Sequence, residues 1–158
     1  MQFESAVKAL RDAEVEFVII GGVAATFHGS SSVTFDLDIC YSSEAKNLSR
    51  LAKALAPFHP RPRGFADDLP FIWDARTLGN GSLFTLKTDL GDIDLLGEVT
   101  GLGGYSDVKA MAIDVEAYGG HVSTLNLRGL IQAKRAAGRP KDLLVLPELE
   151  SLLEAEEP

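Results

Sequence analysis

Hydrophobic residues recur along the chain at two spacings. Ala6, Val7, Leu10 and Ala13 follow helical spacing and predict a first helix over residues 4–13. "VEFVIIGG" predicts a short buried strand that runs into two glycines, and "VAATFH" predicts one or two helical turns closed by Gly29 and the polar "SSS". The spacing then shortens to two. In "VTFDLDICY", residues 33–41, Val33, Phe35, Leu37, Ile39 and Tyr41 take one face of a predicted strand, while Thr34, Asp36 and Asp38 take the other. "SSEAKNLSRLAKALAPF" predicts a helix with Ser42 or Ser43 as N-cap, Leu48, Leu51 and Leu55 inward, and Pro57 as its stop.

The Pro-rich "HPRPRGFADDLP" predicts a loop. "LFTLKTDLGDIDLLGEV" predicts two strands joined as a hairpin around Asp89, Leu90 and Gly91, followed by "GLGGY" as a flexible connection. "MAIDVEAYGGHVSTLNL" predicts one or two short strands, and "LRGLIQAKRAAG" a helix ended by Gly138. "LPELESLLEAEEP" predicts a last helix with a frayed acidic end, for which Asp142 is the expected N-cap. Helices interspersed with a small mixed sheet imply an α/β (α+β) fold in a single domain, 1–158, with a helical C-terminal segment at about 127–156.

A hydrophobic content of 46% over 158 residues is enough for a packed core. No apolar run is long enough to span a bilayer, and the charged, amphipathic start is unlike a signal peptide, so no membrane association is expected. Cys40 is the only cysteine, which rules out an internal disulfide and suits a reducing cytoplasm. The net charge of −8 argues against a surface built wholesale for nucleic acid. The distribution is uneven, however: residues 117–141 contain no acid but hold Arg128, Lys134, Arg135, Arg139 and Lys141.

Two aspartates on one strand face, about 6.5 to 7 Å apart, repel each other unless something compensates them. A solvated sheet face is one answer. A divalent cation is another, since magnesium prefers oxygen ligands, takes one or two carboxylates and completes its shell with water and phosphate. Two neighbouring features favour the cation. The strand ending at Gly21 and Gly22 opens a helix start whose N–H groups can hold phosphate, and 13 residues then separate Gly22 from Asp36. Asp94, in "GDIDLLGEV", offers a third carboxylate on a second alternating strand. Asp92 has the same parity; Asp94 is preferred because it stands within "DIDLL" rather than beside the turn at Gly91.

"IIGGVAATFHGSSSVTFDLDI" together with "GDIDLL" resembles the nucleotidyltransferase superfamily that shares the polymerase beta palm. More narrowly, with "LIQAKRAAGRPKDLLVLPEL", the chain resembles small prokaryotic nucleotidyltransferases of toxin-antitoxin and abortive-infection systems. The resemblance implies that Asp36, Asp38 and Asp94 are catalytic and hold two magnesium ions. It further implies that Gly21, Gly22 and Thr34 contact the nucleotide, and that a nucleoside triphosphate, ATP among the options, donates a nucleoside monophosphate to a hydroxyl. The acceptor stays open between a protein side chain, a tRNA end and a small molecule, with tRNA disfavoured by the net charge. Similar proteins often carry an arginine where this chain has Ser32, so Lys134 or Arg139 is expected to supply the missing cation, although helix-end charges also serve the dipole alone.

Other chemistries find no pattern. A dinucleotide fingerprint from Gly21 would need glycines where Val23 and Thr26 stand, a P-loop would need Gly-Lys-Ser/Thr, and "GSSS" is no nucleophile elbow. His28, His59 and His121 lack metal-ligand spacing. Phe71 and Trp73 suit core packing as well as base stacking. Two functions therefore compete with transfer: a catalytically weak module of the same fold acting as antitoxin or regulator on a protein encoded nearby, and a metal-dependent nuclease.

Overall fold

A computed structural model describes residues 1–157. In chain order the helices are α1 (Phe3–Asp12), α2 (Gly21–Phe27), α3 (Ala45–Leu55), α4 (Ala75–Gly79), α5 (Tyr105–Ala110), α6 (Leu127–Ala137) and α7 (Pro140–Glu156). The strands are β1 (Phe17–Ile20), β2 (Asp36–Tyr41), β3 (Arg61–Pro62), β4 (Leu83–Thr88), β5 (Gly91–Leu96), β6 (Glu98–Val99), β7 (Gly103–Gly104), β8 (Ala112–Ala117) and β9 (Gly120–Leu125). Seven of them form one mixed sheet in the order β3-β4-β5-β2-β1-β9-β8, while β6 and β7 pair separately. Pairs β2–β5 and β1–β9 are parallel; the rest are antiparallel.

The centre of the sheet is the most apolar part of the chain. All four residues of β1 are buried, and Leu37, Ile39, Tyr41, Ile93 and Leu95 on β2 and β5 are wholly so. The side chains named on β2 and β5 share one sheet face because alternate residues point the same way, whereas β1, buried throughout, is covered on both faces. The helices α1 and α3 pack on each other, as do α6 and α7, and α2 lies against β2 and touches α6. Several buried or half-buried polar groups outside the carboxylate face are paired. Asn47 accepts from the Glu16 backbone N–H at 2.7 Å and donates to the carbonyls of Glu16 and Ser42. Arg11, reaching from α1, donates to the carbonyls of Ala117, Tyr118 and His121 and ties down the β8–β9 turn. Among the described residues no helix is long and apolar enough to cross a membrane.

The helices and hairpins follow the sequence periodicity, with five local corrections. The strand expected over 33–41 begins only at Asp36, and Val33 and Phe35 are about three-quarters exposed rather than inward. Before Asp36 the chain has no neighbouring strand to pair with, so alternation alone does not make a strand there. The cap of α3 is Glu44, without a side-chain bond, instead of Ser42 or Ser43. The Pro-rich loop contributes β3 to the sheet edge, and "GLGGY" supplies β7 and the start of α5 rather than a flexible link. Finally, α7 starts at Pro140 with Arg139 as N-cap; Asp142 is its third residue and Pro147 lies inside it. Burial of Leu146 and Leu149 in the contact with α6 outweighs the hydrogen bond that the proline removes.

Candidate active site

Parallel pairing of β2 with β5 sets Asp36 opposite Asp92 and Asp38 opposite Asp94. Equal parity places all four carboxylates on the sheet face opposite the buried leucines and isoleucines, as a two-by-two grid. Neighbours in the grid are spaced about 4.8 Å across the strands and about 6.6 Å along them at the backbone. The two rows differ in depth. The Asp92 side chain is 40% exposed and Asp94 only 19%, so the Asp38–Asp94 row is the inner one.

Asp38 occupies the most demanding position. Its Oδ1 is buried with no hydrogen-bond partner. Burial pushes its carboxyl up to about 7, reinforced by the charge of Asp94, a hydrogen bond with Asp94 and the charge of Asp36, with Lys134 opposing. Burial thus opposes ionisation of Asp38 unless a cation compensates its charge. The donor set, carboxylate oxygens around one unpartnered buried oxygen, has the chemistry a hard divalent cation needs. No group of three His, Cys, Asp or Glu side chains among the described residues is already drawn together as a ligand cage.

Two glycines let the chain pass over this grid. Gly21 has φ +66°, and a Cβ there would run into the Asp38 carboxylate; a Cβ on Gly22 would lie 2.7 Å from Thr34 Oγ1. Only glycine fits at the first of these positions on both backbone and steric grounds. Thr34 precedes β2 rather than lying on it, and its hydroxyl donates to the Asp36 carbonyl at 3.2 Å. The preceding serines are fastened from the far end of the chain. Ser30 and Ser31 hydroxyls donate to the Glu148 carboxylate of α7 at 2.5 and 2.9 Å.

Cations approach the grid from two sides. From the C-terminal helices, Lys134 Nζ lies 3.1 Å from Asp142 Oδ1, and Arg139 donates through Nε to Oδ2 at 2.6 Å. Asp142 itself is fully buried, and Arg139, helped by Lys134, holds its carboxyl down at about 2 against the effect of burial. Asp142 is thus the anchor of a cationic wall, a role its expected position as N-cap did not suggest. From the other side Arg63, in the predicted loop, places Nη2 2.6 Å from Asp94 Oδ1 and Nη1 3.9 Å from Asp92 Oδ2. Its backbone N–H and Nη1 also donate to the Thr85 and Leu86 carbonyls of β4.

A cleft of about 890 Å³ lies between the carboxylates and the helical wall. Its lining includes Gly21, Thr34, Asp36, Asp38, Asp94 and Lys134, with Arg139 and Lys141 at the same wall. The structure thus brings the sequence-predicted Asp36, Asp38, Asp94, Gly21, Thr34 and Lys134 to one place, and Gly22 borders it against Thr34. Asp142 in the lining, and Arg63 and Glu148 beside it, were not expected at this site. For Asp142 a trace exists in the basic run that precedes it; for Arg63 the only trace is a pair of arginines flanking a proline.

Neither a protein-family model nor a curated protein matches this sequence. Among solved structures, a Thermotoga maritima protein proposed to be a nucleotidyltransferase aligns with 94% of this chain and 90% of its own, with a TM-score of 0.60 and 16% identity. At that identity the likeness establishes the fold: a single α/β unit in which helices flank a mixed sheet, shared with that structure.

Proposed function

We infer that this protein is a magnesium-dependent nucleotidyltransferase that moves a nucleoside monophosphate from a nucleoside triphosphate to an acceptor hydroxyl. The observation that carries the reading is one cleft with a carboxylate floor and a cationic wall, of a volume suited to a small-molecule ligand. Asp36, Asp38 and Asp94 would hold the magnesium ions. When bound, such ions stabilise the attacking and leaving oxygens of an in-line displacement at phosphorus.

The residues of the chain divide the remaining work. Lys134, Arg139 and Lys141 face the carboxylates across the cleft and favour the triphosphate by charge. Gly21 and Gly22 keep the β1–α2 turn close to Asp38 and Thr34, leaving no side chain between the backbone N–H groups and a phosphate. Asp38, with its raised pKa, can give up its proton near neutral pH as the nucleotide loads. The cationic wall takes the place of the arginine absent at Ser32.

The acceptor is expected to be a protein side chain, a tRNA end or a small molecule. Incubation with α-labelled nucleoside triphosphates and magnesium, in the presence of total tRNA or candidate proteins, tests the reading. Label transfer with pyrophosphate release, lost in Asp38→Asn and Asp94→Asn, is the expected result; cleavage of a polynucleotide without pyrophosphate would point to a nuclease instead. A competing module role, acting through a partner in a toxin-antitoxin setting, is favoured by one observation. Lys134 and Arg139 are both already paired with Asp142, and Arg63 with Asp94. Tight binding of a partner with no label transfer by either protein would select that role.

A further inference from the structure

Arg63 lies on the side of the grid away from the helical wall, and neither the cleft nor the triphosphate reading uses it. Its guanidinium is held at both ends. Nη1 is fixed to the Leu86 carbonyl at 3.0 Å, and Nη2 donates to Asp94 Oδ1 at 2.6 Å. The same group feels the charges of Asp92 and Asp36 as well as Asp94, so one cation faces three of the four carboxylates. Among the described residues no other cation bonds to the grid: Lys134 and Arg139 are bonded to Asp142, and Lys87 to Asp67.

We propose that Arg63 is a built-in counter-cation of the carboxylate grid, which keeps the metal-free site assembled and lowers its affinity for divalent ions. This rests on the proposed metal role of Asp36, Asp38 and Asp94. Four carboxylates on adjacent strands repel one another when charged, and the guanidinium bonded to Asp94 offsets that repulsion. An incoming divalent ion competes with the guanidinium for the same carboxylates, and it is repelled by a positive charge that backbone anchoring prevents from leaving freely. Arg63 thereby sets a threshold, so that the site fills when the ion arrives with a polyanionic nucleotide and resists filling with the free ion.

The test measures Mn²⁺ binding to the intact protein by electron paramagnetic resonance, together with thermal melting in a chelator. Arg63→Gln removes the charge and is expected to bind free Mn²⁺ at least tenfold more tightly than wild type, while melting lower in the chelator. Arg63→Lys keeps the charge and loses the fork; its Mn²⁺ affinity should stay within about threefold of wild type. Unchanged or weaker binding by Arg63→Gln would overturn the proposal, as would a tenfold loss in Arg63→Lys, because the guanidinium would then be orienting Asp94 for the ion. Asp38→Asn separates the two levels of inference. If wild type takes up no Mn²⁺, or Asp38→Asn leaves uptake unchanged, the metal reading itself fails; if Asp38→Asn abolishes uptake and Arg63→Gln does not tighten it, only the counter-cation role fails.

Discussion

Replacing Asp38 with asparagine should stabilise the metal-free protein while removing its proposed activity. The magnitude follows from the raised carboxyl. Its pKa rises from 3.8 to about 7 on folding, and at roughly 1.4 kcal/mol per pH unit this is a penalty of about 4 kcal/mol above pH 7. The sign is fixed by proton uptake. Between pH 3.8 and about 7 the folded state binds more protons than the unfolded one, so stability falls as pH rises through that window and levels off above it. Asparagine escapes the penalty but loses the carboxyl–carboxylate hydrogen bond with Asp94, worth about 1 kcal/mol. The net gain at pH 8 is about 3 kcal/mol, which for a chain of 158 residues raises Tm by about 6–12 °C. At pH 5 the penalty is only about 1–2 kcal/mol, and the advantage nearly vanishes. Thermal melts of both proteins in a chelator, from pH 4.5 to 8.5, measure this directly. A variant no more stable than wild type at pH 8, or an advantage independent of pH, would refute the idea that Asp38 is a strained buried acid. Adding magnesium should close the gap by stabilising the wild type alone.

Asp142→Ala should destabilise the protein by about 2 kcal/mol in chemical denaturation, less than for a fully buried triad because Arg139 and Lys134 retain access to water. Since its carboxyl is held at about 2, wild-type stability from this group is complete above pH 3.8 and is lost as pH falls from there towards 2; the variant should lack that acid-limb decline. Gly21→Ala forces a side chain into a left-handed backbone and onto Asp38, and should cost about 2–3 kcal/mol in the same assay together with most label transfer. Phe35→Ser should change stability by no more than about 0.5 kcal/mol, because the ring is exposed; a cost of 2 kcal/mol or more would restore the inward face expected from alternation. Asp92→Asn should keep label transfer within about tenfold of wild type while Asp94→Asn loses at least a hundredfold, as measured by pyrophosphate release.

The sequence by itself determined whatever depends on short-range spacing. Helical repeats marked α1, α3 and α6; period-two alternation marked β2, β4 and β5; and the same alternation put Asp36, Asp38, Asp92 and Asp94 on a polar face, because side-chain direction along an element is set by backbone geometry alone. Tertiary structure decided which faces meet and which acid is inner. The β2–β5 register, not local pattern, aligned Asp94 with Asp38, and burial of that row raised the Asp38 pKa. It also decided where alternation fails: Val33 and Phe35 have the rhythm of a strand but no partner to hydrogen-bond with, so they lie open to water. Arg63 and Asp94 are 31 residues apart, and Ser30 and Glu148 are 118 apart. Contacts at such separations leave no periodic signal, since they exist only after the sheet has chosen its strand order and the C-terminal helix has docked.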